Sequence, residues 1–227
     1  YGIKDKLFFD QSIKYIEHLP QPFYLKMITV TNHYPYDLDK KNQSIDKTDT
    51  GDKTVDGYVQ TAHYLDEAIG ELMSYLKKSG LEKNTLIMLY GDHYGISGNH
   101  HKASAQLLNK DSFNNFDNLQ FQRVPLMFHM PGLKGGINHT YGGEIDVSPT
   151  LFNLLGINDQ NRIQFGHSLI AKNAPQIVAQ RNGDFITPKY SKVEGSYYYT
   201  NSGKRVTHPS KKVKAQLASI SNTVTTE

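Results

Sequence analysis

Asp92 and His93 stand side by side at the end of an apolar run. A carboxylate oxygen next to an imidazole nitrogen suits a divalent ion such as Mn²⁺ or Zn²⁺. Residues 85–90, Thr-Leu-Ile-Met-Leu-Tyr, are apolar or β-favouring and predict a strand buried on both faces. Gly91 breaks the run, and in a parallel α/β sheet ligands gather in the crevice beyond the carboxyl ends of the strands. The pair would sit there, with Gly91 and Gly95 permitting backbone turns that aim both side chains one way. The plain alternative is a turn-capping aspartate that a histidine happens to follow. His33 has a similar setting. Residues 23–30 predict a second buried strand that runs into the polar loop Thr31-Asn32-His33-Tyr34-Pro35-Tyr36. A lone loop histidine is usually a surface residue, but two histidines leaving two strand ends point to one crevice.

Other titratable residues are weaker candidates. His63 and Asp66 lie one helical turn apart, a spacing that is usually solvent-facing. His100 and His101 are adjacent in a polar loop, where neighbouring side chains seldom converge on one ion. Lys134-Gly135-Gly136 lacks the rest of a phosphate-binding glycine motif and reads as a turn.

The elements that would position these residues follow from periodicity and punctuation. Residues 5–19 predict a helix ended by Pro20 and Pro22. Residues 37–56 read as an irregular polar excursion. Residues 58–79 give the clearest helix, with Val59, Ala62, Leu65, Ile69, Leu72, Met73 and Leu76 on one face and Gly80 just past its end. A helix between the two strands makes a βαβ unit with parallel strands and a right-handed crossover. Residues 103–108 predict a short helix and residues 124–130 a third strand, either at a sheet edge or with Pro125 at its start. A further helix begins near Asp146 to Pro149 and ends at Gly156. From about Gln176 short β-favouring runs joined by Asn/Gly turns predict a small antiparallel subdomain, closed by a helix from Lys211. The expected domains are therefore 1–175, an α/β unit, and 176–227, β-rich with a terminal helix.

Composition sets limits. The 227 residues suffice for one α/β domain with a small appendage. A net charge of +3, from 25 basic and 22 acidic residues, is too balanced to argue for nucleic acid. Cysteine is absent, which rules out disulfides within the chain and fits an exported bacterial protein that does not use them. No stretch approaches the apolar length of a membrane span. The start at Tyr1 suggests a fragment or a processed product.

Several strings together resemble the lipoteichoic acid synthases, polyglycerolphosphate polymerases of the sulfatase/alkaline-phosphatase superfamily. They are Tyr1-Gly2-Ile3-Lys4-Asp5-Lys6, Thr31-Asn32-His33-Tyr34-Pro35, Gly51-Asp52 with Thr54-Val55-Asp56-Gly57-Tyr58, and Tyr90-Gly91-Asp92-His93-Tyr94-Gly95-Ile96-Ser97. Gly135-Gly136-Ile137-Asn138, Asp146-Val147 with Pro149-Thr150, and Arg181-Asn182-Gly183-Asp184-Phe185-Ile186 continue the match. The resemblance implies a mostly parallel sheet flanked by helices, with a small C-terminal antiparallel subdomain. It implies that Asp92 and His93 are ligands of one catalytic Mn²⁺, with another divalent cation as the alternative. It makes His33 a contact of glycerol phosphate, with Tyr94 and Ser97 beside the same pocket. It implies glycerol-phosphate transfer from phosphatidylglycerol to a growing chain through a phosphothreonine. The threonine nucleophile, a glutamate ligand and the membrane helices are expected upstream, in the missing half of the domain. The implied location is the extracellular face of the cell membrane, with proteolytic release as a variant. A phosphodiesterase or sulfatase-like hydrolase of the same fold, and a non-catalytic glycopolymer-binding module, are the competing readings.

Overall fold

The computed structural model describes residues 2–157 and 163–226, side chains excepted at 225 and 226. The chain forms two compact units: residues 1–114 with 120–133, and residues 115–119 with 134–227. The boundary suggested near residue 176 falls inside the second unit, close to where its sheet begins.

In the first unit, α1 (Asp5–Ile16) packs on α2 (Lys53–Ser79). α2 starts five residues before the expected position. Asp52 caps it, its side chain accepting from the N–H groups of Thr54 and Val55. Gly80, at φ 79°, ends α2 in the left-handed conformation that favours glycine. β1 (Ile87–Tyr90) follows, then α3 (His101–Leu107) and β2 (Leu126–His129). β1 and β2 pair antiparallel, Ile87 opposite His129 and Tyr90 opposite Leu126.

Three expectations change here. Residues 23–30 belong to no strand or helix among the described residues, and Tyr24 and Ile28 are 80% and 68% exposed. An extended segment becomes a strand only when a neighbour supplies its ladder hydrogen bonds. The expected parallel pairing with residues 85–90 therefore has no counterpart among the described strands. β1 itself is only half-buried rather than covered on both faces.

In the second unit, four strands form one antiparallel sheet in chain order: β3 (Val178–Ala179), β4 (Phe185–Ile186), β5 (Tyr190–Val193) and β6 (Ser196–Tyr199). Glu194 and Gly195, both at positive φ, make the two-residue turn between β5 and β6, and Asp184 accepts from the Glu194 N–H. Side chains alternate between faces along each strand. Phe185 and Tyr190 meet Leu217 and Val224 of α6 (Lys211–Thr226). Ile186, Val193 and Tyr198 meet Phe116 and Leu119 of α4 (Asn115–Gln120). α5 (Val147–Leu154) begins beside Asp146, whose buried carboxylate accepts from the N–H groups of Gly143 and His167.

Candidate active site

The site is built from two loops in the first unit, one carrying His33 and one carrying Asp92 and His93. The His33 loop is pinned from its base. Asp5 is fully buried at the first turn of α1. Its carboxylate accepts from the N–H groups of Val30 at 2.9 Å and Thr31 at 3.2 Å, and its own N–H donates to Thr31 Oγ1 at 2.9 Å. Thr61 of α2 donates to Asn32 Oδ1 at 2.8 Å. The Tyr36 N–H then closes the turn onto the His33 carbonyl at 2.8 Å.

The second loop leaves β1. The Gly91 N–H donates to the Pro125 carbonyl, and a side chain at Gly91 would bring its Cβ to 2.8 Å from Val124. A Cβ at Gly95 would lie 2.3 Å from the Tyr58 ring. Neither glycine is among the positive-φ residues. Their role is close approach of backbone to side chain, not the unusual turns expected of them. Ile96, 4% exposed, packs with Val55 and Ala103. His100 places Nδ1 2.6 Å from Asp52 Oδ2. That imidazole holds the Asp52 carboxyl below the usual carboxylate range, and the Thr54 and Val55 N–H groups act in the same direction.

The two loops bring their histidines together. The rings of His33 and His93 lie 5.7 Å apart, edge to face. Each is oriented by the same local device: Nδ1 bonds the carbonyl of the next residue, Tyr34 at 2.9 Å and Tyr94 at 2.7 Å. A carbonyl only accepts, so Nδ1 carries a proton in both rings. His93 Nε2 lies 3.8 Å from Asp92 Oδ1. Two ligands each about 2.1 Å from one ion are at most about 4.2 Å apart. The Asp92–His93 separation lies within that span. Both side chains are open, 75% and 55% exposed, so the rest of a coordination shell has room. No group of three or more His, Asp or Glu residues suited to a metal occurs among the described residues.

Tyr94 is exposed with its ring 6.4 Å from that of His93, and Ser97 is exposed at the entry to a short 3₁₀ turn over Gly98–His100. The weaker candidates go elsewhere: His63 faces Glu67 at 3.4 Å, and His101 stacks on Phe113. Asp5, Tyr36, Gly57 and Thr61 position the site without any chemical signature of their own. The one signal in the sequence is that Asp5 and Gly57 lie within the strings quoted above.

The chain belongs to the sulfatase family, whose model matches residues 1–157. Within that class it is 54% identical over 205 residues to "Lipoteichoic acid synthase 1" of Bacillus subtilis (strain 168), covering 90% of this chain and 32% of that protein. It is 48% identical over 207 residues to "Lipoteichoic acid synthase" of Staphylococcus aureus (strain USA300), covering 91% and 32%. The chain thus spans about a third of the length of these relatives. Among solved structures it resembles a protein of the alkaline phosphatase superfamily from Vibrio parahaemolyticus, with TM-score 0.69, 17% identity, and 97% of this chain and 53% of that chain covered. It also resembles Ps i-CgsB in complex with k-i-k-neocarrahexaose, with TM-score 0.64, 18% identity, and 94% and 52% covered. At these identities the structural likeness speaks for the fold, and the α/β alkaline-phosphatase-like class expected from the sequence holds.

Proposed function

We propose that the chain carries one part of the active site of a metal-dependent phosphoglycerol transferase that extends a polyglycerolphosphate, or lipoteichoic acid, chain from phosphatidylglycerol. The observation that carries this reading is the pairing of two imidazoles 5.7 Å apart, each oriented through Nδ1 by the carbonyl of the next residue, next to the Asp92 carboxylate. Its kinship with lipoteichoic acid synthases selects this chemistry from the wider sulfatase family.

In this reading Asp92 and His93 hold Mn²⁺, one ligand anionic and the other neutral. When bound, the ion supplies the Lewis acidity that ionises a hydroxyl and neutralises phosphoryl charge. His33, when its Nε2 carries a proton, donates to the phosphoryl oxygens or protonates the lipid alkoxide that leaves as the glycerol phosphate is transferred. Tyr94 and Ser97 border the acceptor and headgroup. The threonine nucleophile and a glutamate ligand come from residues outside this chain. Residues 23–30 then become a strand of the sheet those residues complete. The protein works at the extracellular face of the cell membrane, held there by helices outside this chain. Among the described residues no helix is long and apolar enough to cross a membrane.

The test is Asp92→Ala in the full-length protein. Bound Mn²⁺ and polymer synthesis should fall together, by more than about 100-fold in rate, because losing a ligand costs more than losing its hydrogen-bonded support. Full metal occupancy with no activity would remove Asp92 from the ligand set. Product analysis separates the competing hydrolase, since free glycerol phosphate rather than polymer would identify water as the acceptor. The 227 residues alone should bind Mn²⁺ weakly and turn nothing over.

A further inference from the structure

We propose that Tyr36 is a positioning residue that locks the His33 loop to the Asp92–His93 loop through its phenol. The inference rests on the reading that His33 and His93 act on one phosphoryl group.

Tyr36 reaches both loops at once. Its N–H closes the turn onto the His33 carbonyl at 2.8 Å, and its hydroxyl donates to the Gly95 carbonyl two residues beyond His93. The side chain is only 5% exposed, and its ring meets the Tyr58 ring edge-on at 5.4 Å. Its backbone sits at φ 61°, unusual for a bulky residue. Such a conformation persists only where surrounding packing enforces it, and it recurs at functional sites. The enforcement is visible in two glycines. A Cβ at Gly57 would lie 2.7 Å from the Tyr36 carbonyl oxygen, and one at Gly95 would lie 2.3 Å from the Tyr58 ring.

Gly57 is the more telling of the two. It sits inside α2, where glycine costs about 1 kcal/mol relative to alanine. The close passage of Tyr36 over the helix is a physical reason for it. Tyr36, Gly57, Tyr58 and Gly95 therefore interlock, and the Tyr36 hydroxyl is a direct hydrogen bond from one loop to the other. Burial, with Tyr58 adding to it, raises the Tyr36 pKa, so the phenol stays protonated and able to donate at neutral pH.

The chain contains no cysteine, so labels can be placed without background. Tyr34→Cys and Asn99→Cys put spin labels on exposed positions of the two loops. In the otherwise native chain the inter-label distance distribution should be narrow. Tyr36→Phe keeps the ring and removes the hydroxyl, and it should broaden that distribution. Gly57→Ala keeps the phenol but drives a methyl at the Tyr36 carbonyl, and it should broaden it too. An unchanged distribution in both variants overturns the proposal.

In the full-length protein Tyr36→Phe should lower kcat about tenfold, the scale of one lost hydrogen bond. Mn²⁺ affinity should stay within about twofold, because both proposed ligands lie on one loop. A parallel fall in kcat, Mn²⁺ affinity and Tm would mark Tyr36 as merely structural and overturn the proposal. If the unmodified full-length protein showed no Mn²⁺-dependent transfer, the functional reading would fail, while the label distances would still report on the lock itself.

Discussion

The sheets of the two units differ in how far the chain's own residues complete them. In the second unit every strand of a four-stranded sheet is paired, and its two faces meet α6 and α4. In the first unit β1 pairs with β2, while residues 23–30 join no strand, with Tyr24, Leu25 and Ile28 exposed. The sheet of the second unit is packed on both faces, although Ile137, Ile163 and Phe165 elsewhere in that unit are exposed. The first unit has firm joints at the bases of its loops and open chemistry at their tips: Asp5 is fully buried, whereas Asp92 is 75% exposed. The function proposed above would use such a division, with rigid support below and room for further ligands above.

The largest effect should come from the sheet of the second unit. Phe185→Ala empties a fully buried position between the sheet and α6 and should cost about 3–5 kcal/mol. Hydrogen exchange should show protection lost from β3 to β6 while α2 keeps its own; equal loss in both would erase the contrast.

Asp5→Ala should come next, at about 2 kcal/mol, because two N–H groups at the base of the His33 loop lose their shared acceptor. Denaturant unfolding measures the cost, and the His33 and His93 resonances should shift together with it. A destabilised variant with unmoved His33 signals would separate the buried joint from the open tip.

Asp52 sharpens the contrast by pH. Its folded pKa lies below the unfolded value, which is about 3.9. Its contribution is therefore full above that value and is lost as pH falls through the depressed folded pKa. Asp52→Ala should cost about 1 kcal/mol at neutral pH through the lost cap. Asp52→Asn keeps a good cap but removes the charge facing His100. It should flatten the acid limb of the stability curve, read by chemical denaturation between pH 3 and pH 7. An acid limb identical to that of the native chain would count against the pair.

The smallest effect should be Ile28→Ser, within about 0.5 kcal/mol in the chain alone, since that side chain is 68% exposed. A large loss would mean that residues 23–30 are already packed and would remove the main difference between the units.

Much of this was legible along the chain. Helical periodicity located α1, α2 and α6, Asn/Gly turns located the C-terminal hairpins, and the break after residues 85–90 exposed Asp92 and His93. These are local signals, carried by residues a few positions apart. Strand partners are different. Residues 23–30 have the composition of a strand, yet ladder hydrogen bonds depend on a neighbour, and β1 takes β2 in an antiparallel pairing that its own sequence does not encode. The supports of the site were equally hidden. Asp5 acts across 25 residues on Val30, and Tyr36 across 59 residues on Gly95. Nothing in a buried aspartate, a tyrosine or a helical glycine announces such contacts in sequence. Sequence by itself determined which side chains could do chemistry, because that follows from residue type. The sequence pointed His33 and His93 to one crevice, but tertiary structure alone brought their rings to 5.7 Å, because that approach is set by hydrogen bonds and packing between segments far apart in the chain.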